Sequence, residues 1–194
     1  MRADVMLDIE TLGTKEGASI FQIAAVSFDI TTGETREAIN LIGDIAKFPD
    51  LSVDGSTLKW WLDTDKVLLH ELLSTGTLSE TELLTQFRDW LVAQSFTGDM
   101  KDVYLWGNGI LFDNVKIQHA LNNVGLRYPI RYTNDRDVRT ILELASIKSG
   151  ISLNDIRNSV VSEIEKLHDA YDDVKRQIRL VCKCYGILIG EESE

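Results

Sequence analysis

Apolar positions along this chain follow two rhythms, an alternating one near the N-terminus and a helical one beyond it. Residues 5–7 (Val-Met-Leu) run into Asp8-Ile9-Glu10, and residues 20–28 read IFQIAAVSF, so both segments predict strands. The intervening TLGTKEGAS carries Gly13 and Gly17 and reads as a loop. Thr31-Thr32-Gly33-Glu34 is a turn ahead of a third strand near residues 35–42. These three strands predict an antiparallel meander. Further on, Ser56 caps a helix containing Leu58, Trp60, Trp61 and Leu62, and Ser79-Glu80-Thr81-Glu82 is a capping box before LLTQFRDWLV. Residues 103–106 (VYLW) form a strand ended by Gly107 and Gly109. A helix over residues 114–124 then spaces Val115, Ile117, Ala120, Leu121 and Val124. Helices are also expected at 136–149 and at 170–185, the latter with Val174, Ile178, Val181 and Cys182 on one side. Strands alternating with helices after a meander predict an α/β fold, a mixed sheet flanked by helices.

Length and composition narrow this picture without changing it. A chain of 194 residues with 44% hydrophobic content can bury a single core unaided, so we expect one domain over 1–190 and a solvated acidic tail at 191–194. No internal repeat or Pro-rich linker interrupts it. Acidic residues outnumber basic ones 31 to 20, and the net charge of −11 argues against a protein that coats DNA nonspecifically. Bound divalent cations can invert the local sign of an acidic cleft, so an enzyme gripping one strand end is still allowed. Cys182 and Cys184, one residue apart, form neither a C-x-x-C motif nor a zinc site and are expected to be thiols. Acidic residues at Asp4 and Asp8 break any signal-peptide apolar region, and no run approaches the ~20 apolar residues of a membrane helix. The expectation is a cytoplasmic protein.

Three short segments carry the candidate chemistry. Asp8 and Glu10 are two positions apart on a strand and so project from one face; alone, a D-x-E is common and is more often a solvated strand end. Asp113 follows Trp106-Gly107-Asn108-Gly109-Ile110-Leu111-Phe112, where glycines allow a tight path, Phe112 can anchor the turn in the core, and an acid is held where a helix begins. His168-Asp169-Ala170-Tyr171-Asp172-Asp173 sets three acids and a histidine at the start of the last helix. His168 and Asp173 face one cleft only if His168 lies at or before the first turn, because five positions rotate about 140°. His70 and His119 read as ordinary surface or core histidines. Together Asp8, Glu10, Asp113 and Asp173 supply four carboxylates from three elements, as two hard cations ~4 Å apart require. Oxygen-only ligation points to two Mg²⁺ or Mn²⁺ ions. Such a pair polarises a phosphodiester, lowers the pKa of a bound water and stabilises the departing oxygen, while a histidine removes the water's proton.

On these residues the chain resembles the DEDDh 3′-5′ exonucleases of the ribonuclease H-like, or DnaQ-like, superfamily. Its D-x-E-T motif is Asp8-Ile9-Glu10-Thr11, its second motif ends in Phe112-Asp113, and its H-x-A-x-x-D motif runs from His168 to Asp173. Trp60-Trp61 and Arg136-Asp137-Val138-Arg139-Thr140 resemble the phage exonuclease A type and the related mycobacterial exoribonuclease type. The resemblance implies a ribonuclease H-like mixed sheet, with Asp8, Glu10, Asp113 and Asp173 as metal ligands, His168 as general base and Thr11 beside the terminal nucleotide. Asp169 and Asp172 are alternative third-motif ligands, with the register favouring Asp173. One departure stands out: the proofreading type usually has Asn four positions before the second-motif Asp, where this chain has Gly109, with Asn108 one position earlier.

A strand threaded into such a cleft can stack its bases on aromatic faces, for which Trp60, Trp61, Phe21 and Trp106 are available. Adjacent helical positions point about 100° apart, so one of Trp60 and Trp61 can instead pack in the core. Arg127, Arg131, Arg136 and Arg139 cluster in an otherwise acidic chain and read either as a guide for phosphates or as a salt-bridged face. The expected substrate contacts are Thr11, Trp60, Trp61, Asn108, Phe112 and Arg139, and the expected partner is a single-stranded 3′ end, without a membrane. We read the substrate as single-stranded DNA, with short RNA or an RNA 3′ overhang as the alternative. A catalytically silent acidic binding protein and a hydrolase of small phosphodiesters rank behind both. The apolar, tryptophan-containing helical middle offers a symmetric surface for a homodimer.

Overall fold

The computed structural model describes residues 2–162 and 166–190. Five strands form one sheet in the order β3-β2-β1-β4-β5. Strand β1 (Ala3–Thr11) pairs antiparallel with β2 (Ile20–Phe28), and β2 pairs antiparallel with β3 (Thr35–Ile42), which is the predicted meander. On the other edge of β1, β4 (Val103–Gly107) runs parallel to it, and β5 (Asp135–Asp137) runs parallel to β4. The mixed antiparallel and parallel sheet is the fold class the sequence predicts.

Among the described residues six α-helices pack around the sheet and on one another: α1 (Gly55–Thr75), α2 (Glu80–Ala93), α3 (Asp113–Asn123), α4 (Val138–Ser149), α5 (Leu153–Asn158) and α6 (Ala170–Ile189). Alternation along β1 decides what each face does. Val5, Leu7 and Ile9 point into a core with Leu83, Phe87 and Leu91 of α2 and Ile117 and Leu121 of α3. Asp4, Met6, Asp8 and Glu10 occupy the opposite face, where Met6 joins Trp106 and the inner sides of α4 and α6. Burial of Asp4 is made possible by Arg2, whose guanidinium donates to both carboxylate oxygens (2.8 and 2.7 Å), and by Trp106 Nε1, which donates at 2.7 Å. Strand β2 is buried on both faces along its whole length, which accounts for its nearly unbroken apolar run. A third cluster at one end packs Trp61, Leu68, Leu69 and Leu72 of α1 on Leu12 and Phe21.

Several local expectations change. Helix α1 is capped by the Asp54 carboxylate, which accepts from Ser56 N (2.9 Å); the Ser56 hydroxyl donates to that same oxygen instead of capping. The helix also breaks at Asp65, whose carboxylate restarts it by accepting from Leu68 N. The helix expected at 136–149 starts two residues later, because Arg136 and Asp137 pair with β4 and the Asp137 carboxylate caps α4 by accepting from Thr140 N at 3.0 Å. The short α5 is an addition. The capping box at Ser79 and Glu82 forms as predicted. Cys182 and Cys184 are free thiols. No helix among the described residues is long and apolar enough to cross a membrane, and the tail at 191–194 lies outside the described residues.

Candidate active site

Strand β1 delivers Asp8 and Glu10 to its C-terminal end, β4 ends nearby at Gly107, and the N-terminus of α6 arrives on the same face. Asp173 lies in the first turn of α6, shortly after its N-cap Asp169. One carboxylate oxygen from each of Asp8, Glu10 and Asp173 lies within 4.8 Å of the others. Asp113, 5% exposed in the first turn of α3, stands beside Asp8 and is the largest single charge repelling that carboxylate.

Packing four acids together in a recess is electrostatically costly, and their proton affinities record it. Burial raises Asp8 well above the usual carboxylate range, Asp113 and Asp173 add to the rise, and Gln177 and Arg176 oppose it. Glu10 is raised by burial and then by Asp8, Asp173, Asp113 and Asp169. Burial pushes Asp113 up to about 7 against the pull of Arg139 and of the Asn108 backbone N–H. Asp173 is raised by burial and restrained by Arg176, whose Nη2 lies 2.6 Å from Asp173 Oδ1, and by His168. The protein's own cations leave negative charge over, and the surplus sits on oxygens at the spacing of a hard-cation site. The donor set therefore fits divalent metal.

His168 sits just before the α6 N-cap, the placement needed for it to share the cleft with Asp173. Its backbone is left-handed (φ 67°), the one such non-glycine residue among those described. Two contacts and the cap that follows it hold it there. Its N–H serves the Asp173 carboxylate, its imidazole meets the Trp60 ring edge-on at 4.9 Å, and the following Asp169 accepts from Tyr171 N and Asp172 N. Asp172 accepts from Lys166 N and pairs with Lys175. Asp169 and Asp172 thus serve as cap and ion-pair partner, whereas Asp173, itself paired with Arg176, is the third-motif acid whose oxygen approaches Asp8 and Glu10.

The cleft holds about 770 Å³ and is lined by Asp8, Glu10, Asp113, His168, Trp60 and the 108–112 turn, with Asp137 and Arg139 closing one side. Glycines shape that turn. A Cβ on Gly109 (φ +115°) would lie 3.2 Å from the Arg139 guanidinium, and one on Gly107 would strike Asn114 at 2.8 Å. Asn108 is exposed and lines the cleft. Phe112 is 38% exposed, with the Lys116 ammonium 4.5 Å from its ring centre, so it forms cleft wall in place of the expected core anchor.

Other expected contacts fall elsewhere. Trp60 is 43% exposed in the cleft, whereas Trp61 is 1% exposed, packed on Phe21 and donating from Nε1 to Thr11 O. Thr11 is buried, and its hydroxyl donates to Gly13 O (2.8 Å), closing the loop after β1. Of the four clustered arginines only Arg139 reaches the cleft; Arg136 donates to Thr133 O and lies over Tyr104.

Apart from Asp137, the residues that brace the site lie outside the motifs read from the sequence. Gln177 Nε2 donates to Asp8 Oδ1 at 2.8 Å, and Gln22, opposite Glu10 in the hairpin, accepts from Ala170 N and so ties β2 to the start of α6. Asp137 Oδ2 accepts from Ile110 N (3.0 Å), and buried Lys116 donates to the carbonyls of Thr14 and Lys15. Two signals in the sequence point to them: Gln177 is four residues beyond Asp173 on one helix face, and Gln22 is a lone amide in an apolar strand.

Comparison with known proteins places the chain by family and by fold. Residues 3–185 match the family described as the 3′-5′ exoribonuclease Rv2179c-like domain. An exodeoxyribonuclease of Enterobacteria phage T4 is 26% identical over 162 residues, covering 72% of this chain and 70% of its own. Among solved structures, a moderately thermophilic Exonuclease I from Methylocaldum szegediense superposes with a TM-score of 0.69 at 19% identity, over 98% of this chain and 43% of that one. The nuclease domain of 3′hExo, a DEDDh family member bound to rAMP, superposes at 0.63 with 13% identity, over 99% of this chain and 94% of that one. This chain therefore spans less than half the length of Exonuclease I, and the structural likeness is one of fold.

Proposed function

The chain belongs to the Rv2179c-like 3′-5′ exoribonuclease domain family, and so to the DEDDh 3′-5′ exonucleases; on that premise we propose that it hydrolyses the 3′-terminal phosphodiester of single-stranded DNA. The observation that carries the reading is the meeting of Asp8, Glu10 and Asp173 within 4.8 Å, with Asp113 beside them, in a cleft walled by Trp60 and His168.

In this reading Asp8, Glu10, Asp113 and Asp173 hold two divalent cations, Mg²⁺ or Mn²⁺, which when bound neutralise the acids and stabilise charge on the reacting phosphate. The protein's own groups do the remainder. Trp60 and Phe112 offer apolar faces to the last bases. Arg139, at the mouth of the cleft, meets a phosphate oxygen, and Asn108 lies within reach of the same strand. His168 takes the proton from the attacking water, its ring held against Trp60 and its backbone fixed to Asp173. Gln177 keeps Asp8 aimed at the ions by occupying one of its oxygens.

The phage exodeoxyribonuclease relative supports DNA, while the family's description favours the second reading, a short RNA or an RNA 3′ overhang. The test digests 5′-labelled DNA and RNA of matched sequence with Mg²⁺ or Mn²⁺, beside a chelator control and Asp8→Asn. We expect a ladder shortening from the 3′ end that vanishes in both controls, with the faster ladder naming the sugar. Cleavage of a dinucleotide but of neither polymer would replace the proposal with a small-phosphodiester hydrolase.

A further inference from the structure

Three of the four clustered arginines are absent from the cleft, and two of them, Arg127 and Arg131, line a different groove. That groove, about 870 Å³, lies between the C-terminal half of α2, the turn around Gly98 and the segment leading into β5. It opens at the start of β4 and β5, whereas the carboxylates gather at the other end of the sheet. Arg88 of α2 lines it as well, so three arginines border one hollow on a chain of net charge −11. Counter-charge inside it is thin. Asp99 is the one acid in its lining, and it is shared between Lys101 at 2.7 Å and Arg131 at 3.6 Å. Arg88 pairs with Asp89, outside the lining, and Arg127 makes no ion pair among the described residues. Tyr132, 92% exposed on the rim, gives the groove an aromatic face standing in solvent.

Cationic forks beside an exposed aromatic ring suit a single nucleic-acid strand: guanidinium groups take phosphate oxygens, and the ring takes a base. An acidic peptide would use the arginines but leave Tyr132 idle. The chain itself runs from the groove to the cleft. Segment 127–133 lines it, β5 follows, and Asp137 and Arg139 line the cleft. From Thr133 to Asp137 the chain advances four residues, at most about 14 Å, a span that a few nucleotides of single strand can bridge.

We propose that this groove is a second binding site of the protein, which holds the phosphate backbone of a single strand several nucleotides away from the end being cut. The proposal rests on the exonuclease reading for its consequence, but the binding itself does not. Long substrates engage both sites, and the groove contributes affinity and resists dissociation between cuts; a dinucleotide is too short to reach it.

The test uses the full chain with Arg127→Glu and Arg131→Glu combined, beside the milder Arg127→Gln/Arg131→Gln pair in case charge reversal harms folding. Fluorescence anisotropy with labelled dT₂₀, with metal chelated, reads binding without cleavage. We expect affinity to drop on the order of tenfold and the slope of log K against log salt to flatten by about 1.4, two phosphate contacts at ~0.7 each. KM on the 20-mer rises while dinucleotide turnover is unchanged. Unaltered affinity and slope in both variants would overturn the proposal, as would competition by polyglutamate equal to that of an oligonucleotide of the same charge. Lost binding in variants of a protein that cleaves nothing would uphold the groove and remove the exonuclease reading, so the two stand or fall separately.

Discussion

At the level of single residues, the left-handed backbone of His168 makes the choice of test substitution matter. Alanine there removes the imidazole but also places an unsuited residue at φ 67°, confounding rate with strain. Asparagine tolerates that conformation, so His168→Asn separates the two. We expect single-turnover cleavage to slow by ~10² to 10⁴-fold while strand affinity and melting temperature hold; a rate within twofold of the parent would assign the proton to another group. Gln177 yields a second prediction. Its amide occupies one oxygen of Asp8, and Gln177→Leu frees that carboxylate to rotate, so the Mg²⁺ concentration giving half-maximal activity should rise by ~10 to 100-fold. A magnesium titration with an unchanged midpoint would make Gln177 a packing residue only. The contrast between these residues shows what local sequence can carry. The four acids and the histidine are legible because hard-cation chemistry calls for their types and the resemblance to the DEDDh motifs supplies their register. Gln22, Gln177 and Lys116 are less so: the lone amide in β2 and the helix position of Gln177 mark the residue but not its partner, which lies 169 residues away for Gln177 and Asp8 and 102 for Lys116 and Thr14. The fate of the two tryptophans is equally hidden. Spacing places Trp60 and Trp61 about 100° apart, but which one faces the cleft depends on where α1 lies against Phe21.

Among elements, strength of pattern decides what is foreseeable. Strands β1 and β2 and helices α2 and α6 carry apolar periodicity or caps over many residues, and they form where expected. Strand β5 is three residues, Asp-Arg-Asp, with no apolar face at all. It is a strand because β4 offers its free edge there, a tertiary cause that overrides local preference. The turn at 107–112 depends on this short strand, since Asp137 both caps α4 and accepts from Ile110 N. Removing the carboxylate with Asp137→Ala should cost about 1 kcal/mol through the lost cap and should also loosen the turn that carries Asn108 and Phe112. Asp137→Asn keeps a good cap and removes the charge. We therefore expect urea denaturation to show Ala destabilised and Asn near the parent, with kcat/KM on a single strand lower in Ala than its fraction unfolded explains. Equal kcat/KM in the two variants would mean that the turn holds its shape without Asp137.

On the scale of the whole molecule, the acid cluster sets how stability follows pH. Asp8, Glu10, Asp113 and Asp173 are all raised in the folded protein, Asp113 to about 7. Between the ordinary carboxylate value near 4 and those raised values, the folded state binds more protons than the unfolded chain. By linkage the stability of the metal-free protein then falls as pH rises. The contribution is fully present below about 4 and is lost as pH climbs through 7. Acids lowered by hydrogen bonds, among them Asp29, Asp102 and Asp172, act with the opposite sign but in a different window. Their stabilisation is lost below the ordinary carboxylate value and is constant above about pH 5. Net charge pushes the same way as the cluster, because a chain already at −11 repels itself more strongly with each proton lost. Divalent metal reverses the trend if it binds the ionised acids. Saturating Mg²⁺ adds about 2.7 kcal/mol at a hundredfold excess over its Kd, and metal competes better with protons as pH rises. Thermal melts from pH 5 to pH 8 should therefore show a falling melting temperature with chelator and a flat or rising one with Mg²⁺. Asp8→Asn removes one of the repelling charges, so it should melt higher than the parent at pH 8 in chelator and gain little from Mg²⁺. A parent protein whose melts with chelator and with Mg²⁺ coincide across this range would show that the four carboxylates hold no cation, and the hydrolytic reading of the cleft would go with them.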